Sequence, residues 1–248
     1  MGVIKKLLFR MKKNVVKHLT LSTTSTSATW SPQTVTNSGS TLTWDVSGDI
    51  TPTSQNVNDP TFDLSANTGT VDMNVYDVSG LTLLDVQFSD ITLIDTSMAI
   101  ALVNFNCIVN QLTSLDFSNN LNLEILSCDN NILTSLNVSN NVLLEQLFCL
   151  HNNLTALNIS SNIALTSLSC YSNSISSLDL SNNINLIQVD VMINNMSPSA
   201  TDQIYIDLAN GVGINGSLQI RNNRTSASDT ARATLVSRGW SFNESYTT

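Results

Sequence analysis

Between residues 81 and 196 apolar and polar positions recur with a fixed step of 21. Leu81, Leu102, Leu123, Leu144, Leu165 and Leu186 open the units, and three residues on stand Leu84, Phe105, Leu126, Leu147, Leu168 and Val189. Five residues on, Val86 and Val191 bracket Cys107, Cys128, Cys149 and Cys170; eight on, Ser89 is followed by Asn110, Asn131, Asn152, Asn173 and Asn194. A second apolar set (Ile91, Leu112, Leu133, Leu154, Ile175, Met196) leads to a serine column and a further asparagine column at Asn120, Asn141, Asn162 and Asn183. Stretches such as Leu123-x-x-Leu126-x-Cys128 alternate with period two, which predicts a short strand with one buried face. A step this regular predicts a solenoid whose strands pair in parallel, roughly 4.8 Å apart. One coil cannot bury its own apolar face, so six coils share one core. The asparagines are expected to hydrogen-bond backbone at the corner after the strand and to reach the next coil, pairing polar groups that would otherwise be orphaned.

Outside the array the pattern changes. Residues 20–80 alternate in short runs such as Thr41-Leu42-Thr43-Trp44, broken by Gly, Pro and Asn, and predict a β cap over a sheet edge that would otherwise be unpaired. Residues 199–248 predict a helix over 201–210 stopped by Gly211, a strand near 216–220 and a helix near 227–238, a small α+β cap. Residues 1–19 place Ile4, Leu7, Leu8, Met11, Val15 and Leu19 on one helical stripe, with Lys5, Lys6, Arg10, Lys12, Lys13 and Lys17 mostly elsewhere. The anchoring set is Lys5, Lys6, Leu7, Leu8, Arg10, Met11, Lys12 and Lys13. The roles open for this arm are insertion into a partner assembly, contact with an anionic membrane face, a solvated tail, or a helix packed on its own cap. Its longest apolar run, Leu7-Leu8-Phe9, is too short for a secretory signal, and the chain has no apolar span of transmembrane length.

Charge alters the picture more than composition does. Six of the ten Lys and Arg lie in residues 5–17 and four in 221–238, so 18–220 holds none against seventeen Asp and Glu. A body with that field repels phosphate, which excludes nucleic acid as a partner of the solenoid.

The chemistry-bearing residues do not converge. The four cysteines share one inward column with valines, which predicts a reduced, buried ladder; a disulfide or a metal site would need them to meet in space. Asp95, Asp116 and Asp179 share a column with Asn137 and Asn158, which reads as corner capping rather than paired acid–base chemistry. His18 and His151 sit in different modules, and His151 is expected at the surface of its coil. The sequence carries no nucleophile elbow, phosphate loop or metal-binding helix motif. The expectation is a protein that is not an enzyme and takes no cofactor or metal.

The pattern L-x-x-L-x-C-x-x-N-x-L, with L-T-S-L-D-x-S-N-N between copies, resembles bacterial leucine-rich repeats. It is most similar to the 21-residue, cysteine-ladder class of internalin-type listerial surface proteins; similar arrays occur in Bacteroidetes proteins and in phages of those bacteria. The resemblance covers about 81–196. The 199–248 segment, with its G-x-L-x-I strand and L-x-x-x-G-W ending, resembles the tail that follows such arrays. The resemblance implies a mainly β leucine-rich-repeat solenoid; with the patterns read outside it, the chain divides into a basic arm 1–19, an N-terminal β cap 20–80, the solenoid 81–198 and a small α+β C-terminal cap 199–248. Its partners are diverse, so the motif speaks to the coil rather than the ligand.

Outward strand positions, four and six residues into each coil, are the expected contact surface. Phe148, Leu150, Tyr171 and Met192 predict an apolar patch over three consecutive coils, with His151 beside it and Ile108 further along. The functional expectation is a surface-displayed recognition or structural protein. A phage virion component (spike, fibre or decoration protein) fits best, since the chain has adhesin-like coils yet thiols suited to a reducing cytosol. A bacterial adhesin and an intracellular scaffold are the alternatives. Expected partners are virion or surface proteins and a host protein or glycan, with homo-oligomers open.

Overall fold

The computed structural model describes residues 78–245 throughout and, before them, the strand segments 18–23, 34–37, 43–46, 54–56 and 71–76. Lys5, Lys6, Leu7, Leu8, Arg10, Met11, Lys12 and Lys13 of the basic arm lie outside the described residues. β1 (His18–Thr23) begins at His18, so Leu19, read as the end of a helical stripe, is strand.

Two sheets form. The strands β1, β3 (Thr43–Val46), β4 (Ser54–Asn56), β5 (Val71–Tyr76) and β7 (Ile91–Asp95) make an antiparallel sheet in the order β4-β3-β5-β1-β7. The second sheet carries the repeats: β6 (Leu81–Asp85), β8 (Asn104–Asn106), β9 (Ile125–Ser127), β10 (Gln146–Phe148), β11 (Ser167–Ser169) and β12 (Gln188–Asp190). They pair in parallel, each residue against the one 21 later, as in Leu126↔Leu147 and Leu147↔Leu168. β2 (Thr34–Asn37) closes one end antiparallel to β6. At the other end β13 (Ser217–Arg221) and β14 (Ser241–Ser245) continue the parallel order, so the C-terminal segment adds two rungs to the sheet itself.

The repeat columns become the core. Leu102, Leu123, Leu144, Leu165 and the four cysteines are buried, and the thiols are free and stacked as a ladder. Among the described residues no three His, Cys, Asp or Glu side chains come together as a group able to hold a metal. Burial raises every thiol pKa, that of Cys170 to about 12.

The corner asparagines reach the preceding coil, not the next one. Asn131 Nδ2 donates to the carbonyls of Cys128 in its own coil and Cys107 in the coil before (3.1 and 3.0 Å), while its Oδ1 accepts from Leu112 N. Asn110, Asn152, Asn173 and Asn194 repeat this geometry. The backbone bonds between coils skip the carbonyl at the thiol position, and the asparagines of its own and of the following coil both donate to it. On the opposite side Asn141, Asn162 and Asn183 each donate to the preceding asparagine's carbonyl at 2.8 Å.

Beyond the last coil, α1 (Pro198–Asn210) starts with Ser197 Oγ accepting from Ala200 N and Pro198 in its first turn. It packs beside α2 (Asp229–Ser237). Trp240 seals this end over Gly216, where a Cβ would lie 2.5 Å from the indole, and its Nε1 donates to Gly213 O at 3.0 Å.

Candidate functional site

The outward positions of the parallel sheet form three columns. Two residues into each coil stand Leu83, Asn104, Ile125, Gln146, Ser167 and Gln188; four in, Asp85, Asn106, Ser127, Phe148, Ser169 and Asp190; six in, Gln87, Ile108, Asp129, Leu150, Tyr171 and Met192. The period-two strand turns these residues outward, and the parallel register sets each beside its counterpart one coil away.

Phe148, Leu150, Tyr171, Met192 and Ile108 are all half-buried, because side chains on rungs this close cover one another laterally. Leu150, Tyr171 and Met192 are consecutive in one column. Ile108 is separated from them by Asp129. His151 is exposed in the turn just after the strand and meets the Tyr171 ring edge-on, with centroids 5.0 Å apart.

The face is notched rather than flat. Ser167 and Ser169, both buried, make a low floor beside the taller Phe148 and Leu150, with Gln188, Asp190, Ser217 and Gln219 on the far side, enclosing about 400 Å³. A smaller hollow of about 200 Å³ lies toward the N-terminal end among Asp85, Asn104, Asn106 and Ser127.

Two carboxylates set the polarity of this face. Where Asp or Asn stands four into a coil it caps its own strand end: Asp190 accepts from Met192 N, Asp85 from Gln87 N and Asn106 from Ile108 N. Phe148 cannot do this, and Asp129 of the preceding coil accepts from Leu150 N instead, at 3.0 Å. That bond and the nearby His151 do not offset the burial of Asp129, whose pKa is pushed up to about 6. Burial raises that of Asp190 too.

The other aspartate column is structural. Asp95, Asp116, Asn137, Asn158 and Asp179 each accept from the backbone N–H of the serine two residues on, a turn cap repeated in five coils. No helix among the described residues is long and apolar enough to cross a membrane.

A second surface was not read from the sequence. Ile100, Leu121, Val142, Ile163 and Ile184, each two residues before a coil start, form an exposed apolar row on the turn that leads into the strand. Their letters resemble core leucines, and only the buried asparagine before each of the last four betrays the turn.

No family model matches the sequence, and no curated protein does. Solved structures do match. An internalin from Listeria monocytogenes superposes with a TM-score of 0.55 at 22% identity, over 66% of this chain and 47% of that one. The functional domain of InlJ from the same organism, which includes a cysteine ladder, matches at 21% identity over 59% of this chain and 50% of that one, with a TM-score of 0.34. A leucine-rich-repeat protein of Leptospira interrogans gives 16% identity and a TM-score of 0.46, over 65% and 54%. The chain thus spans about half the length of these structures. It has the leucine-rich-repeat fold of the internalin it superposes on.

Proposed function

We propose that the chain is a non-enzymatic recognition module that binds a partner protein across its strand face and is displayed on a virion surface. The observation that carries the reading is the notch: an apolar wall of Phe148 and Leu150 over a serine floor, on a sheet held rigid by side-chain bonds from coil to coil. A rigid concavity with an apolar wall and a polar floor suits one bulky side chain of a partner that carries both apolar and polar surface. Asp190 lines it, Asp129 bonds the backbone of Leu150 in its wall, and 18–220 lacks Lys and Arg, so a neutral or basic protein surface is the complementary one.

Replacing Phe148 and Tyr171 together by Ser, or filling the floor with Ser169→Trp, is expected to weaken binding to target cells at least tenfold with thermal unfolding unchanged. Undiminished binding by both variants overturns the strand-face assignment.

Display on a virion is supported by the reduced thiols, which suit assembly in a reducing cytosol, and by the segregation of six cationic residues into 5–17, away from an acidic body. Deleting residues 1–17 is expected to release the protein from its particle while the array stays folded. Recovery only from a bacterial envelope, or only from cytosol, removes this part of the reading and leaves the strand face standing.

A further inference from the structure

We infer that the apolar row on the turn side of the coils is a self-association surface, through which two copies of this chain pack about a two-fold axis with their rows antiparallel. The row lies away from the strand face and does not depend on the function proposed for it.

Ile100, Leu121, Val142, Ile163 and Ile184 are between 43% and 59% exposed, one per coil, with Leu143 beside the middle of the row at 47%. Val212, 65% exposed, prolongs the row into the C-terminal cap, where its N–H bonds Ile184 O. These seven side chains expose on the order of 600 Å² of apolar surface, at or above the largest patch of a typical monomer and close to one side of a standard interface. Scattered surface leucines need no explanation; a continuous row along the array does.

Three features favour a second copy as the occupant. The first is pitch. The row has the spacing of the parallel rungs, so five residues cover about 19 Å, and a surface with the same spacing meets every member of it. This chain carries such a surface, and an antiparallel two-fold arrangement pairs each row with itself. The second is rigidity. The backbone is fixed on both sides of the row: Asn122 Nδ2 donates to Ile100 O, Asn185 Nδ2 to Ile163 O, and buried Asn120, Asn141, Asn162 and Asn183 precede the last four members. Little entropy is lost on docking such a surface. The third is the polarity of the rim. Asn119, Asn140 and Asn182 beside the row carry no charge, while Glu124 and Glu145, exposed three residues beyond Leu121 and Val142, are the like charges that added salt would screen.

Sedimentation of the full chain over a micromolar range tests this. The expected mass is twice 26.9 kDa, falling to the single mass in the Leu121→Lys, Ile163→Lys double variant with no change in thermal unfolding. Added salt is expected to tighten the dimer, because screening relieves like-charge repulsion; a basic peptide or anionic vesicle on the row would show the opposite or no association of copies. An independent readout uses the native surface elsewhere: Val142→Cys, at the centre, is expected to cross-link to its own counterpart under mild oxidation. Ile100→Cys does so only when mixed with Ile184→Cys. The four native thiols, being buried, stay silent. A monomer at all concentrations, a dimer that survives the lysine pair, or equal self-linking by Ile100→Cys and Val142→Cys each overturns the inference, as does capture of a residue 1–17 peptide in place of a second copy.

Discussion

Val109 and Ile193 hold a left-handed backbone, φ 53° and 51°, that β-branched side chains resist. The same turn position is filled by Phe88, Asn130, His151 and Ser172 at φ between 51° and 55°, so the coil imposes the conformation and the residue accepts it. Asparagine accepts it at least cost, and Val109→Asn is expected to stabilise the array by about 1 kcal/mol, read as a shift in urea midpoint. The thiols give a second expectation at this scale. Native protein at pH 8 is expected to resist iodoacetamide at all four cysteines and to react fully once unfolded; labelling of any one in the native state contradicts the ladder. Cys149→Asp, which buries an unpaired charge, is expected to cost at least 3 kcal/mol and unfold the array. Asp129 adds a pH dependence. In the folded chain it keeps its proton to about pH 6, whereas in the unfolded chain it releases it near about pH 4. The resulting destabilisation is absent below about pH 4 and complete above about pH 6. Asp129→Asn retains an acceptor for Leu150 N without the charge, so its thermal unfolding should exceed wild type at pH 7 and match it at pH 4. The thiol column was legible in the sequence because valine fills the same slot at both ends; the strained turn was not, since nothing in Val109 or Ile193 announces a left-handed φ.

A coil is held to its neighbour by amide ladders, and one ladder is incomplete. In the first coil Thr96 Oγ1 donates to Asn120 Oδ1 at 2.9 Å. Later coils place Phe117, Val138 and Ile159 in that slot, and Oδ1 of Asn141, Asn162 and Asn183 is left buried without a donor. Val138→Thr restores the pairing by stepping the Thr96 geometry along two coils. A buried Val→Thr change ordinarily costs about 1–3 kcal/mol; here the expected cost in chemical unfolding is near zero, and a loss of the full amount contradicts the reconstruction. Six coils were legible because each column has a physical reason to repeat. The helix ending at Asn210 was legible too, with Gly211 marking its stop, although Ser197 and Pro198 start it three residues before the expected Thr201. The strand order of the first sheet was not legible. β1 pairs with both β5 and β7, partners more than 45 residues away in sequence, and a run such as Thr43–Val46 does not say which edge it joins.

Across the whole molecule, the acidic body, the notched strand face and the apolar row are separable surfaces. The half of the candidate site built from Phe148, Leu150, Tyr171 and Met192 could be placed from the 21-residue step and the period of a strand alone. The notch could not, since it exists through what Ser167 and Ser169 lack in height beside Phe148. Nor could the row, whose Leu121 and Ile163 look like core until Asn120 and Asn162 are seen to turn inward ahead of them.

The corner asparagines span one interval and no more, so each of their bonds has an equivalent one unit away. Were residues 123–143 lost together, Asn152 would find the Cys107 carbonyl where it now finds that of Cys128, and Phe148 would come to lie against Asn106. Unequal crossing-over between such units therefore redraws the outward pattern without disturbing what lies beneath. One such exchange alters a whole rung of outward side chains in a single step.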